Sequence, residues 1–120
     1  MRRAEPHADE RGQVLVIAAL MLTALIGFAG VGLDIGWYQL NVLRIQRAAD
    51  AAALAGVVHL PGNPAGAFAA ARAEATKNGY ADGVSGVTVS AAQDPVNNRL
   101  MVVTIRARAR TFFAQLFGFT

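Results

Sequence analysis

Few residues of this chain have the types and spacing that catalysis or metal binding requires. The two histidines, His7 and His59, lie far apart in the sequence, and there is no cysteine. The sequence contains no HExxH motif, phosphate-binding loop, dinucleotide fingerprint or nucleophile elbow. His59 comes at a predicted helix end, where a histidine serves as a favourable charge or donor more often than as a ligand. We therefore expect no enzymatic activity, no metal and no cofactor.

The acid of greatest interest, Asp34, directly follows an apolar run at residues 14–33. The run has no charged residue for 20 positions, and about 20 apolar residues span a hydrocarbon core of about 30 Å. Asp34 is therefore expected near a membrane interface. Two interpretations stay open. The carboxylate is a hydrated acid that marks the end of the span, or it pairs with a basic group or N-terminus of a neighbouring subunit in an assembly.

The apolar run could also be a cleaved secretory signal. Such signals have a shorter apolar region, about 7–15 residues, and end in a small-x-small cleavage site. Here helix-forming sequence continues without a proline until Pro61. The pattern favours a retained anchor.

The positions of the charges predict the orientation of this anchor. Three arginines precede the run within the first twelve residues, whereas Arg44 and Arg47 follow it. Because Lys and Arg near a span favour the cytoplasmic side, we expect a cytoplasmic N-terminus. The predicted organisation is a cytoplasmic tail at 1–12, a transmembrane helix at 13–38 and a small exported domain at 39–120. The net charge of +3 is too small to predict nucleic-acid binding.

The predicted helix continues from the apolar run to about His59 and carries many small residues. Small residues allow close approach of a second helix or sheet, and those inside lipid form small-xxx-small contacts. The candidate packing positions are Gly27, Gly32, Gly36, Ala48, Ala49, Ala52, Ala53 and Gly56.

The remaining sequence predicts an α+β domain. Asn63 reads as an N-cap with Pro64 at the first helical position, and a second helix is expected over 65–78, ending at Gly79. From Gly86 onward the apolar period becomes two, which predicts an antiparallel hairpin with a turn at 94–98. We expect this hairpin to pack on the alanine-rich helix or to need a partner, because a two-stranded sheet is marginal alone.

Three arginines lie on one face of the second predicted strand: Arg106, Arg108 and Arg110. They are either the solvated face of an edge strand or a contact for lipid headgroups or an anionic wall polymer, with the phenylalanines that follow dipping into the interface.

Residues 11–57 resemble the TadE/TadG-like family of tight-adherence (Flp) pilus-assembly proteins. The shared features are Arg-Gly ahead of the apolar run, Asp34-Ile35-Gly36 at its end, an arginine-containing connector and the block QRAADAAALAG at 46–56. The family commonly has Asn where this chain has Arg47. Type IV prepilins are cut after a glycine before the run, a place that Gly12 occupies with Gln13 next, but they carry glutamate where this chain has Ile17.

The resemblance implies a non-enzymatic, minor-pilin-like subunit of a pilus-assembly or secretion apparatus that is either in the bacterial inner membrane or associated with the pilus. Its expected partners are membrane lipid, other pilus subunits and copies of itself. Asp34, Arg47 and Asp50 are the candidate assembly charges. The alternative is a membrane-tethered module that binds an anionic surface through its basic sheet face.

Overall fold

A computed structural model describes residues 7–118. The elements follow the order α1 (His7–Val57), α2 (Pro64–Lys77), β1 (Thr88–Gln93), β2 (Met101–Arg106) and α3 (Phe113–Leu116). The chain divides into two compact units. The first contains α1 as far as Trp37 together with the segment from Thr111 onward, and the second is Tyr38–Arg110. The predicted α+β class, with a long apolar helix, a second helix and a small antiparallel sheet, is confirmed.

The first unit is one helix that carries a short C-terminal segment. The apolar run makes up most of this part of α1, and its side chains are exposed almost throughout. The C-terminal segment forms the single helical turn α3, closed by hydrogen bonds such as Gly118 N–H to Gln115 O at 3.1 Å.

The second unit begins its helix α2 as the sequence predicts. The side chain of Asn63 accepts a hydrogen bond from the Gly66 N–H at 2.9 Å, and Pro64 occupies the first helical turn. Both features satisfy or remove N–H groups that a helix start leaves without partners. After α2 ends at Lys77, Gly79 adopts a φ of +92°, a left-handed conformation that glycine reaches without steric cost.

The sheet consists of two antiparallel strands, with Thr88 opposite Arg106 and Gln93 opposite Met101. Asp94 makes the turn, because its carboxylate accepts the N–H groups of Val96 and Asn97, each at 2.8 Å. At the outer edge of β1, the Val89 N–H donates to Asp82 Oδ1 at 2.9 Å, which covers an edge donor that has no strand neighbour.

The core of the second unit is made chiefly of alanine. Its buried residues are Ala48 and Ala52 of α1, Ala71 and Ala75 of α2, Val89 of β1 and Ile105 of β2. Among the described residues, no large side chain is fully buried. Alanine side chains let the backbones approach closely, but each removes little apolar area from water. The second unit therefore depends on close packing more than on buried volume.

The second strand is shorter than the alternating pattern predicts. β2 ends at Arg106, which pairs with Thr88, the first residue of β1. Before Thr88 the chain turns through Ser85 and Gly86, both with positive φ, so residues 107–110 have no partner strand in the described part of the chain. Arg108 and Arg110 thus follow the strand instead of lying in it.

Candidate membrane and assembly surfaces

The apolar surface of α1 is the largest exposed feature of the first unit. Consecutive residues such as Val14, Leu15, Val16 and Ile17 are all exposed, so the surface surrounds the helix instead of forming one stripe. A helix that is apolar on every side and is not buried in protein suits a hydrocarbon environment. α1 is long and apolar enough to cross a membrane. The surface comprises Val14, Leu15, Val16, Ile17, Leu20, Met21, Leu22, Leu25, Ile26, Phe28, Val31 and Leu33.

At the end of this surface, the carboxylate of Asp34 receives three backbone hydrogen bonds. Oδ1 accepts the N–H of Phe112 at 2.9 Å and of Phe113 at 3.2 Å, and Oδ2 accepts the N–H of Ala114 at 2.8 Å. Asp34 is only 9% exposed. These donors are the N–H groups at the start of α3, which have no partner inside that helical turn. Asp34 therefore caps the C-terminal segment from a position 78 to 80 residues away in sequence.

Two ring contacts accompany this cap. The ring of Phe113 lies over Gly30, where an added Cβ would stand 2.9 Å from its Cδ1 atom. The ring of Phe112 meets Trp37 edge-on, with centroids 5.6 Å apart and an interplanar angle of 66°. Gly30 and Trp37 lie one turn before and one turn after Asp34. Residues 111–118, which we call the C-terminal turn, are thus fixed to α1 by one carboxylate and two aromatic contacts.

Neither sequence interpretation of Asp34 includes this partner. A hydrated acid would be exposed, and the buried carboxylate instead has donors from its own chain. Pairing of Asp34 with a neighbouring subunit stays a prediction, and it would require release of the C-terminal turn. Phe112 and Phe113 are the sequence feature that could have indicated this contact, but their position next to Asp34 depends on the tertiary structure.

The glycines of α1 differ in how much space they have. At Gly27, Gly32 and Gly36 an added Cβ would have no atom of the described residues within 4 Å. At Gly56 it would meet the Met101 side chain and would stand 2.8 Å from the Ala67 carbonyl oxygen. The small-xxx-small pair at Gly32 and Gly36 is therefore open to a partner outside the chain, while Gly56 is used inside it.

The alanine positions of α1 follow the same division within the second unit. Ala48 and Ala52 are buried, while Ala49 and Ala53 are half-buried. Ala49 and Ala53 line a groove of about 360 Å³ between α1 and β2, together with Ile45. A neighbouring groove of about 300 Å³ continues along α1 toward Tyr38. Ala49 and Ala53 thus form a face of small residues on α1 beside β2.

Apart from Asp34, the predicted charged positions are on the surface. Arg47 and Asp50 are exposed, and Asp50 Oδ1 accepts a hydrogen bond from Gln46 Nε2 at 3.0 Å. Arg106, Arg108 and Arg110 are also exposed. Three exposed arginines therefore lie close together in sequence at the C-terminal end of the second unit, which ends at Arg110.

The predicted processing site lies inside α1. Gly12 and Gln13 are exposed helical residues. Of the predicted cytoplasmic tail, residues 1–6 lie outside the described part of the chain, and α1 begins at His7. Within the described residues, no group of three His, Asp or Glu side chains is arranged to hold a metal ion.

Taken together, the described features define a class: a chain with one membrane-capable N-terminal helix and a small α+β domain built on its continuation. The profile of the Flp pilus-assembly TadE/G-like family matches residues 12–73, from the start of the apolar run to the middle of α2. The match covers just over half of the chain, and the chain belongs to this family. No curated protein and no solved structure matches it.

Family membership and the membrane-capable helix support two coarse conclusions. The protein has a role associated with pilus assembly, and it is anchored to a membrane. The description of the family is one of pilus assembly and names no enzymatic activity.

Proposed function

We propose that this chain is a non-enzymatic, minor-pilin-like subunit of a tight-adherence pilus assembly or secretion apparatus. It crosses the bacterial inner membrane once through residues 13–38, with residues 1–12 in the cytoplasm and residues 39–120 exported. The observation that carries the proposal is the apolar surface that surrounds α1 inside the matched region. The chain acts by packing against other subunits and copies of itself, and it needs no cofactor.

Two features of α1 support contacts with other subunits. Gly32 and Gly36 leave space on the helix that no residue of the described range 7–118 fills, and small residues at this spacing allow close helix contacts in lipid. Outside the membrane segment, Asp50 lines the groove formed by Ala49 and Ala53, and Arg47 is an exposed charge on the same helix, so both can make polar contacts with another subunit. Asp34 joins this set only in a state in which the C-terminal turn has been released.

The proposal is tested in cells that build Flp pili, with the gene deleted and then restored as variants. Gly32→Ile with Gly36→Ile should reduce piliation and co-isolation with pilus components, because branched side chains prevent close helix approach. The matched control is Val31→Ile with Ile35→Val, which has the same spacing and nearly conserves volume. Both variants should remain in the membrane fraction.

Normal piliation in the deletion strain would contradict the proposed function as a whole. Normal piliation with Gly32→Ile and Gly36→Ile would contradict only the packing role of these glycines. Likewise, Asp34→Asn with unchanged assembly would remove Asp34 from the inter-subunit contacts.

A second candidate is a tethered module that binds an anionic surface, which the exposure of Arg106, Arg108 and Arg110 favours. Replacing all three with Gln should then weaken binding of the anionic surface, and added salt should weaken the wild type in the same way. Unchanged binding of the triple variant to anionic vesicles or wall polymer would exclude this function.

A further inference from the structure

We propose that the C-terminal turn (residues 111–118) is a second membrane contact of this protein, held on α1 by Asp34 and inserted among the headgroups and upper acyl chains of the lipid. The inference rests on the proposed position of the apolar surface in a bilayer. Its partner is lipid, not another protein chain.

The depth of the turn follows from its contacts with α1. The ring of Phe113 lies over Gly30, and Gly30 comes three residues before Leu33, the last residue of the apolar run. At about 1.5 Å per residue, this contact lies about 4.5 Å inside the end of the run. A turn fixed at this level is placed where interfacial segments bury their apolar side chains.

The outer side of the turn is apolar and exposed. Phe112, Leu116 and Phe117 are each at least 65% exposed. Their surface continues the apolar surface of α1, because Phe112 contacts Trp37 and Phe113 contacts Gly30 on the same helix. Lipid that surrounds the span would therefore also cover these three side chains.

The hydrogen bonds of Asp34 explain how a turn can be accommodated there. Backbone N–H groups without partners are costly at membrane depth, and so is a carboxylate removed from water. Asp34 and the N–H groups of Phe112, Phe113 and Ala114 satisfy each other at 2.8–3.2 Å. Asp34 is thus a positioning residue for the membrane contact.

The absence of cysteine makes the test direct. The full chain is prepared as Leu116→Cys, labelled with an environment-sensitive fluorophore and inserted into phosphatidylcholine–phosphatidylglycerol vesicles at low protein density. Quenching is measured with iodide in the water and with lipids that carry a nitroxide near the top of the acyl chain. We expect the label at position 116 to be quenched by the lipid nitroxide and protected from iodide.

Two reference labels separate the outcomes. Leu22→Cys reports the middle of the apolar run, and Val96→Cys reports the β-turn, where the side chain is 95% exposed. A label at position 116 that iodide quenches as strongly as at position 96 would overturn the inference. Protection from both quenchers would also overturn it, because a protein chain would then cover the turn. Iodide access at position 22 would instead contradict the membrane position on which the proposed function depends.

Variants of Asp34 test the positioning role. Asp34→Ala removes every acceptor, whereas Asp34→Asn keeps one carbonyl oxygen. Because a hydrogen bond to a charged group shifts an equilibrium by about tenfold or more, amide exchange at residues 112–114 should accelerate by at least that factor in Asp34→Ala. Asp34→Asn should fall between this variant and the wild type, and amides of β2 should not change. Unchanged exchange at residues 112–114 would show that Asp34 does not hold the turn.

Discussion

The two parts of α1 have opposite surfaces although they belong to one helix. As far as Trp37 its large apolar side chains are exposed, and a polar side chain, that of Asp34, is buried. From Tyr38 onward its buried residues are small, and they pack on α2 and the sheet. Within the described residues, the C-terminal turn covers the first part only around Gly30, Asp34 and Trp37, and the remaining apolar side chains are exposed, a composition that suits lipid. The second part is stabilised by packing within the protein, so the space around each side chain determines which substitutions it accepts.

The glycines of α1 report the same difference at single positions. Gly27, Gly32 and Gly36 have room for a larger side chain, whereas Gly30 and Gly56 do not. At Gly30 the neighbour is the ring of Phe113, which can move, and at Gly56 it includes the backbone carbonyl of Ala67, which is fixed by α2. The same substitution should therefore have different effects along one helix.

The largest effect is expected from charge in the apolar surface. Leu22→Arg with Ile26→Arg should abolish stable membrane insertion, because each arginine near the helix centre costs about 2.5–3.5 kcal/mol. The measurement is the fraction of protein that resists alkaline extraction from membranes. Leu54→Arg with Val58→Arg, at the same spacing near the end of α1, is the control and should insert normally; these side chains are 70% and 75% exposed, against 59% and 60% for Leu22 and Ile26. Equal extraction of both variants would remove the distinction between the two parts of α1.

A steric change in the second part should have an intermediate effect. Gly56→Ala should lower the free energy of unfolding of the second unit by about 1–3 kcal/mol, because the added methyl group overpacks against Ala67 and Met101. Gly36→Ala, with open space around it, should cause no loss, since alanine is the better helix former. Hydrogen exchange of the β1 and β2 amides measures the stability of the second unit in both variants. A Gly56→Ala chain as stable as the wild type would contradict the packing at this position.

The smallest effect is expected at Gly30. Gly30→Ala should displace the Phe113 ring by a few tenths of an ångström and cost less than about 1 kcal/mol, because a side chain can yield where backbone cannot. Trp37, the single tryptophan, contacts Phe112, so its fluorescence reports movement of the turn. Gly27→Ala should leave the spectrum unchanged. A spectral change of the same size in both variants would show that the contact with Gly30 is not specific.

Local patterns in the sequence predicted most of the fold. Asn63 and Pro64 begin α2 because capping depends on neighbouring residues, and the apolar period of two after Gly86 predicted the antiparallel hairpin of β1 and β2. The end of β2 at Arg106 was not predictable in this way, because it depends on where the partner strand β1 begins.

The hydrogen-bond donors of Asp34 also could not be predicted from the sequence. Its donors lie about 80 residues away, and nothing local to Asp34 indicates them. The close contact at Gly30 could not be predicted from the sequence either, because the small-xxx-small pattern contains Gly32 and Gly36 but not Gly30. Its tight contact arises because the C-terminal turn lies on that side of α1.

The most direct test of the division of α1 is accessibility of single cysteines in intact membranes. Leu22 and Leu43 are similarly exposed within the chain, at 59% and 55%, so protein packing alone predicts equal labelling of Leu22→Cys and Leu43→Cys. If lipid surrounds the first part of α1, a membrane-impermeant maleimide should label position 43 from the exported side and should not label position 22 until detergent is added. Equal labelling of both positions in intact membranes would contradict it.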